Sequence, residues 1–174
     1  MIRGSRRFKR TALVLGTTLL MLAAASAVYV VPSAALDPPP PPISAEPLTP
    51  RSVFPDEVNM KFKLKMPHMG TMVVNVDDPT RTVSVKYTVQ PGAQFPWHSH
   101  YGPVIVNIMS GSLTYVPAGT CEEREYSGGQ SFVDAGHGHI HSAFNPGPGP
   151  TVFIATFFEA PETGPLLIPA DPGC

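Results

Sequence analysis

Six histidines occur in the 174-residue chain, and five of them fall in two short clusters: His98-x-His100 and His137-x-His139-x-His141. On a β-strand, alternate residues face the same side, so each cluster can aim imidazoles into one space. Neutral imidazole is the commonest protein ligand for transition metals. A single histidine is ordinary filler, but five at i, i+2 spacing, with only His68 elsewhere, point to a divalent transition metal such as Fe, Zn, Cu or Ni. Other site chemistries are missing: there is no Ser-His-Asp or Cys-His nucleophile pattern and no phosphate-cradling glycine loop. The two cysteines, Cys121 and Cys174, cannot build a C-x-x-C zinc module.

The elements that must hold these histidines read as strands. With 22 Pro and 15 Gly, a helical bundle is excluded. Met60, Phe62, Leu64 and Met66 alternate with Lys61, Lys63 and Lys65, and Val83, Val85, Tyr87 and Val89 alternate with polar neighbours. Val104–Met109 and Ser112–Val116 flank Ser110-Gly111, which suggests a tight hairpin. Cys121–Tyr126 is β-compatible and ends at Gly128-Gly129, and Thr151–Glu159 is a β-branched and aromatic run suited to a buried strand. Many short strands punctuated by Gly and Pro describe an all-β sandwich or closed barrel over residues 56–160, with 161–174 as a C-terminal tail.

The N-terminal third is different. Arg3, Arg6, Arg7, Lys9 and Arg10 precede a charge-free stretch from Thr11 to Leu36. This pattern over residues 1–36 is that of a signal peptide cut after Ala35, or of a retained membrane anchor; in both readings the body is exported. Outside the cytoplasm, Cys121 and Cys174 favour a disulfide. Residues 37–55 carry five consecutive prolines, Pro38–Pro42, and read as a Pro-rich spacer. From Asp37 onward seven basic residues face thirteen acidic ones, a sign that excludes nucleic acid as partner. Contact with a membrane is expected only through the N-terminal segment.

At this point the chain resembles the cupin superfamily. Gly92-x5-His98-x-His100-x3-Val104-x6-Gly111 is similar to the first cupin motif, and Gly129-x6-Gly136-x-Gly138-x2-His141-x3-Asn145 to the second. The resemblance implies a small antiparallel β-barrel, jelly-roll-like, with His98, His100 and His141 as metal ligands at its mouth, and is compatible with a homodimer. The glutamate of the first motif falls on Val104, which cannot ligate. The expected site is therefore three neutral imidazoles, with His139 as a fourth ligand or as support for one, and His137 at the rim. Glu123 or Glu125 is the alternative source of a carboxylate. Asn145 is expected to tie down its turn. Two functions follow from this set: a metal-dependent enzyme, such as one of oxygenase type, acting on a small molecule, or a non-catalytic module that binds a metal or small ligand.

Overall fold

The computed structural model describes residues 41–66, 70–77, 79–171 and 173–174. The basic leader, the apolar run, the first prolines and His68 lie outside the described residues. Among the described residues there is no helix, and none therefore that is long and apolar enough to cross a membrane.

Twelve strands are present: β1 (Ile43–Pro47), β2 (Asn59–Met66), β3 (Gly70–Asp77), β4 (Val83–Val89), β5 (Gln94–Ser99), β6 (Val104–Ser110), β7 (Ser112–Pro117), β8 (Arg124–Ser127), β9 (Ser131–Asp134), β10 (His141–Phe144), β11 (Thr151–Phe157) and β12 (Ile168–Pro169). They form two five-stranded antiparallel sheets, in the orders β1-β4-β11-β6-β9 and β12-β5-β10-β7-β8, and a separate β2–β3 hairpin. The sheets face each other as a jelly roll; the outer strands do not pair across, so the barrel is not closed.

Period-two burial explains the packing. Val83, Val85, Tyr87 and Val89 of β4, with Phe153, Ala155 and Phe157 of β11, are buried, while the residues between them are half-covered. These side chains meet Phe95, Val106, Ile108, Leu113 and Ala143 in one core. Tyr87 stacks on Phe153 at 5.1 Å and meets Phe95 edge-on at 5.7 Å, arrangements favoured by the ring quadrupole. The hairpin buries Val74 and Val76 against Ala135 and leaves Lys61, Lys63 and Lys65 in solvent.

Two expectations need correction. The runs on either side of Ser110-Gly111 are strands, but not a hairpin: β6 bonds to β9 and β11, and β7 to β8 and β10. Gly111, at φ 76°, turns the chain from one sheet into the other; a side chain there would strike Thr151, with its Oγ1 only 2.6 Å from the Cβ position. The Pro-rich stretch is not wholly a spacer, because Ile43–Pro47 is the edge strand β1 against β4. An edge strand uses one row of hydrogen bonds, so Pro47 is tolerated there. The C-terminal tail is held, as the expected disulfide implies: β12 pairs with β5, and Cys121 and Cys174 are bonded. Closing that 53-residue separation is worth about 4 kcal/mol in the chain-entropy model.

Candidate metal centre

His98 lies on β5 and His141 opens β10, and the two are direct cross-strand partners. Partners in an antiparallel register project to the same face, so their ring centroids lie 4.3 Å apart. His100, two residues beyond His98, completes a cluster with centroids 4.8 Å from His98 and 5.2 Å from His141. All three are buried, and their ligand nitrogens lie within 4.8 Å of one another. Metal–imidazole bonds are ~2.0–2.1 Å, so one ion can touch all three once the rings close in slightly.

Each ring is pinned from behind. His98 Nδ1 donates to Pro96 O at 2.6 Å, His100 Nδ1 to Leu166 O at 3.0 Å, and His141 Nδ1 approaches His139 O at 3.4 Å. A carbonyl only accepts, so each Nδ1 carries the proton and each Nε2 offers a lone pair. This donor set suits a transition metal without rearrangement of tautomers. Burial lowers all three imidazoles from their ordinary value, His98 to about 3, aided by the His141 charge, and His141 to about 4. His98 and His141 therefore stay neutral and competent to ligate well below pH 6, and His100 is shifted in the same direction.

Asp134, the last residue of β9, is the functional group that sequence reasoning missed. It is 1 % exposed and sits in register with Val104 on β6, so a carboxylate stands on the strand beside the position where the motif's glutamate is absent. It is not oriented as a ligand. Oδ1 accepts from Gly136 N at 2.9 Å; Oδ2 accepts from Tyr115 Oη at 2.6 Å and His139 Nδ1 at 3.1 Å, and lies 3.2 Å from His141 Nδ1. Burial works against its charge, but the His141 imidazole, the His139 bond and the Tyr115 hydroxyl hold the carboxyl below its usual range. Burial and the same carboxylate raise Tyr115, which keeps its proton. The result is a carboxylate–histidine pair behind one ligand, an arrangement that fixes the tautomer and raises ligand basicity. Its signal in the sequence was strand parity: Phe132 and Asp134 share the inward face of β9, and an acid on a buried face needs partners.

The remaining expectations sort cleanly. His139 is half-buried and serves Asp134 rather than the three-histidine cluster, although Asp134, His139 and His141 also lie within 4.8 Å of one another. His137 is at the rim, paired with Glu159. Glu123 and Glu125 are exposed and supply nothing to the site. Asn145 ties its turn, donating to Val89 O and Gly149 O and accepting from Gly147 N. At the mouth Gly136, at φ 62°, packs so tightly on Gly102 that a Cβ would come within 2.0 Å of its carbonyl oxygen.

The histidines open onto a cavity walled by Tyr87, Phe95, Val104, Val106, Phe157 and Leu167 among others. About 40 Å³ is free to the centres of water-sized atoms, several times the ~10–15 Å³ that one water needs by that measure.

Two facing antiparallel sheets carry one His-x-His pair and a third histidine on adjacent strands at one end. The fold is jelly-roll-like. No protein-family model matches the chain, and no curated protein does. Among solved structures it is similar to the Cupin_2 domain of an XRE family transcriptional regulator from Enterobacter cloacae (18% identity, 67% of this chain and 95% of that one, TM-score 0.45). It is also similar to KdgF from Halomonas sp. (19%, 70% and 84%, 0.45) and to the polyketide cyclase RemF from Streptomyces resistomycificus (17%, 52% and 61%, 0.44). The match spans about three fifths of the length of the polyketide cyclase. Such likeness concerns the fold alone; activity on this scaffold must be argued from the site.

Proposed function

We propose that this domain binds one divalent transition metal through His98, His100 and His141 and presents it to a small, largely apolar molecule in the cavity. The observation that carries the reading is the convergence of three buried imidazoles, each with Nδ1 donated to a carbonyl, at the wall of an apolar cavity. Three neutral ligands leave the ion its full charge, offset only by Asp134 behind His141, which favours Zn, Fe, Cu or Ni over Mn. A metal held this way acts as a Lewis acid toward a chelating oxygen or nitrogen. The protein's part is to exclude water with Phe95, Val106 and Phe157, hold the rings in one tautomer, and keep Asp134 ionised.

An enzyme of oxygenase type is the first form of the proposal. A non-catalytic metal or ligand binder is the second, and one observation favours it: both Asp134 oxygens are engaged and Tyr115 donates to Asp134, so neither is free to move a proton at the ion. Metal stoichiometry of the wild type and of a His98→Ala/His141→Ala variant tests the site. Stoichiometric metal in the double variant would remove the proposal. Metal-dependent oxygen uptake against small acids, phenols and thiols then separates enzyme from binder.

We also propose that the body is exported. Support comes from the basic-then-apolar leader and from the Cys121–Cys174 disulfide, since such bonds persist in oxidising compartments. A fusion of residues 1–55 to a reporter active only outside the cytoplasm tests it.

A further inference from the structure

Two of the three imidazoles take their Nδ1 acceptor from two residues away: Pro96 for His98 and His139 for His141. His100 takes its acceptor, Leu166 O, from 66 residues away in the C-terminal segment. We propose that Leu166–Ala170 is a working part of the metal centre, latched from the far end by the Cys121–Cys174 disulfide, and that opening the disulfide weakens metal binding through His100. This inference rests on the three-histidine reading above.

The same segment does three things at once. Leu166 positions the His100 ring, Leu167 forms part of the cavity wall, and Ile168 and Pro169 pair with Ser99 and His98 on the strand that carries the ligands. Between its two ends it is held by the packing of Leu166 and Leu167 against the core and by a few backbone bonds. At the start, Arg51 donates to the carbonyls of Pro161 and Gly164. The pairing in the middle is two residues long, and Pro169 has no N–H to contribute. Ala170 N donates to Trp97 O at 3.1 Å. At the far end the disulfide anchors Cys174, with Gly173 packed so closely on Ala118 that a Cβ would come within 2.1 Å of Ala118 Cβ. Both cysteines are exposed, so a reductant reaches the bond. A freed end lets Leu166 leave, and His100 then loses the partner that keeps its proton on Nδ1 and its lone pair on Nε2. The loss of such a partner lowers metal affinity by roughly 10–100-fold.

The segment carries its own reporter, because Trp97 is the sole tryptophan and Gly173 lies against its ring. The test uses the folded, oxidised protein loaded with Zn or Co(II). A water-soluble phosphine reduces the disulfide: the S–S bond accepts two electrons and two protons to give two thiols, and the phosphine takes the oxygen of one water to become its oxide. Metal affinity is measured by chelator competition before and after, with Trp97 emission followed in parallel. Expected are a roughly 10–100-fold weaker affinity and a shift in Trp97 emission, both reproduced without reductant in a Cys121→Ser/Cys174→Ser variant. In His100→Ala, which is weaker from the outset, reduction should change affinity no further. A Trp97 shift with affinity unchanged would overturn the inference and leave the metal site standing. An equal loss on reduction in His100→Ala would also overturn it, since the effect would not pass through His100. Absence of metal uptake by the oxidised wild type would instead remove the three-histidine reading itself.

Discussion

Replacing Asp134 by asparagine tests the part of the site that was hidden from sequence. The carboxylate faces four donors: Gly136 N on Oδ1, and Tyr115 Oη, His139 Nδ1 and His141 Nδ1 on Oδ2. An amide offers one oxygen and one NH2, so one set of these donors must meet another donor. With the NH2 toward Gly136, one buried backbone N–H is stranded, at ~1–3 kcal/mol. With the NH2 toward the other three, Tyr115 can rotate to accept, but His141 is pushed toward the Nε2–H tautomer, which cannot ligate. In either orientation the negative charge behind His141 is gone. The metal-free Asp134→Asn domain should therefore lose ~1–3 kcal/mol of stability, and metal affinity should fall roughly 10–100-fold, equivalent to about 1.4–2.8 kcal/mol. Denaturant unfolding of the metal-free protein reads the first quantity, and chelator competition reads the second. Lost stability with affinity unchanged within twofold would mean that Asp134 only fills the end of β9 and does nothing through His141. No change in either would refute the hydrogen-bond assignment altogether.

Acid should act later on metal binding than the ordinary imidazole value suggests. Folded His98 and His141 are lowered to about 3 and about 4, so protons compete for the site only near those values, and metal should be retained at pH 5 in a chelator challenge. The metal-free fold should behave oppositely. Between ~6.5 and these lowered values the unfolded chain binds protons that the folded chain refuses, so stability falls with pH by up to about 1.4 kcal/mol per unit for each such histidine. Urea midpoints from pH 7 to 4.5 would show it; a flat profile would count against buried neutral rings. Val104→Glu puts a second carboxylate beside Asp134, its register partner, on a 1 % exposed position. The metal-free variant should melt below the wild type and gain more from added metal, with preference moving toward Mn or Fe. Gly136→Ala, at a positive φ against Gly102, should cost ~2 kcal/mol or more by thermal unfolding, while Gly138→Ala, with open space at its Cβ, should cost less.

The types and spacing of His98, His100 and His141 were enough to single out three candidate ligands, which the fold brings together, because period-two geometry makes an i, i+2 pair share a face whatever surrounds it. Alternation likewise marked β2 and β4, a β-branched and aromatic run marked β11, and the two cysteines, read behind an export-type leader, marked their own bond. What local pattern could not reveal was which strands pair. Ser110-Gly111 has the form of a hairpin turn, yet the chain crosses there between sheets, a choice made by β11 and β10 occupying the neighbouring places. The edge strand β1 was invisible for the same reason: Pro47 argues against a central strand, and only the folded sheet shows that β4 has a free edge beside it. Asp134 and Leu166 reach the candidate site through contacts with residues far along the chain, Asp134 with Tyr115 and Leu166 with His100. Ligand identity is a property of short segments. The hydrogen bonds that set each ring's tautomer, and the walls that keep water from it, arise only when distant strands are packed against one another.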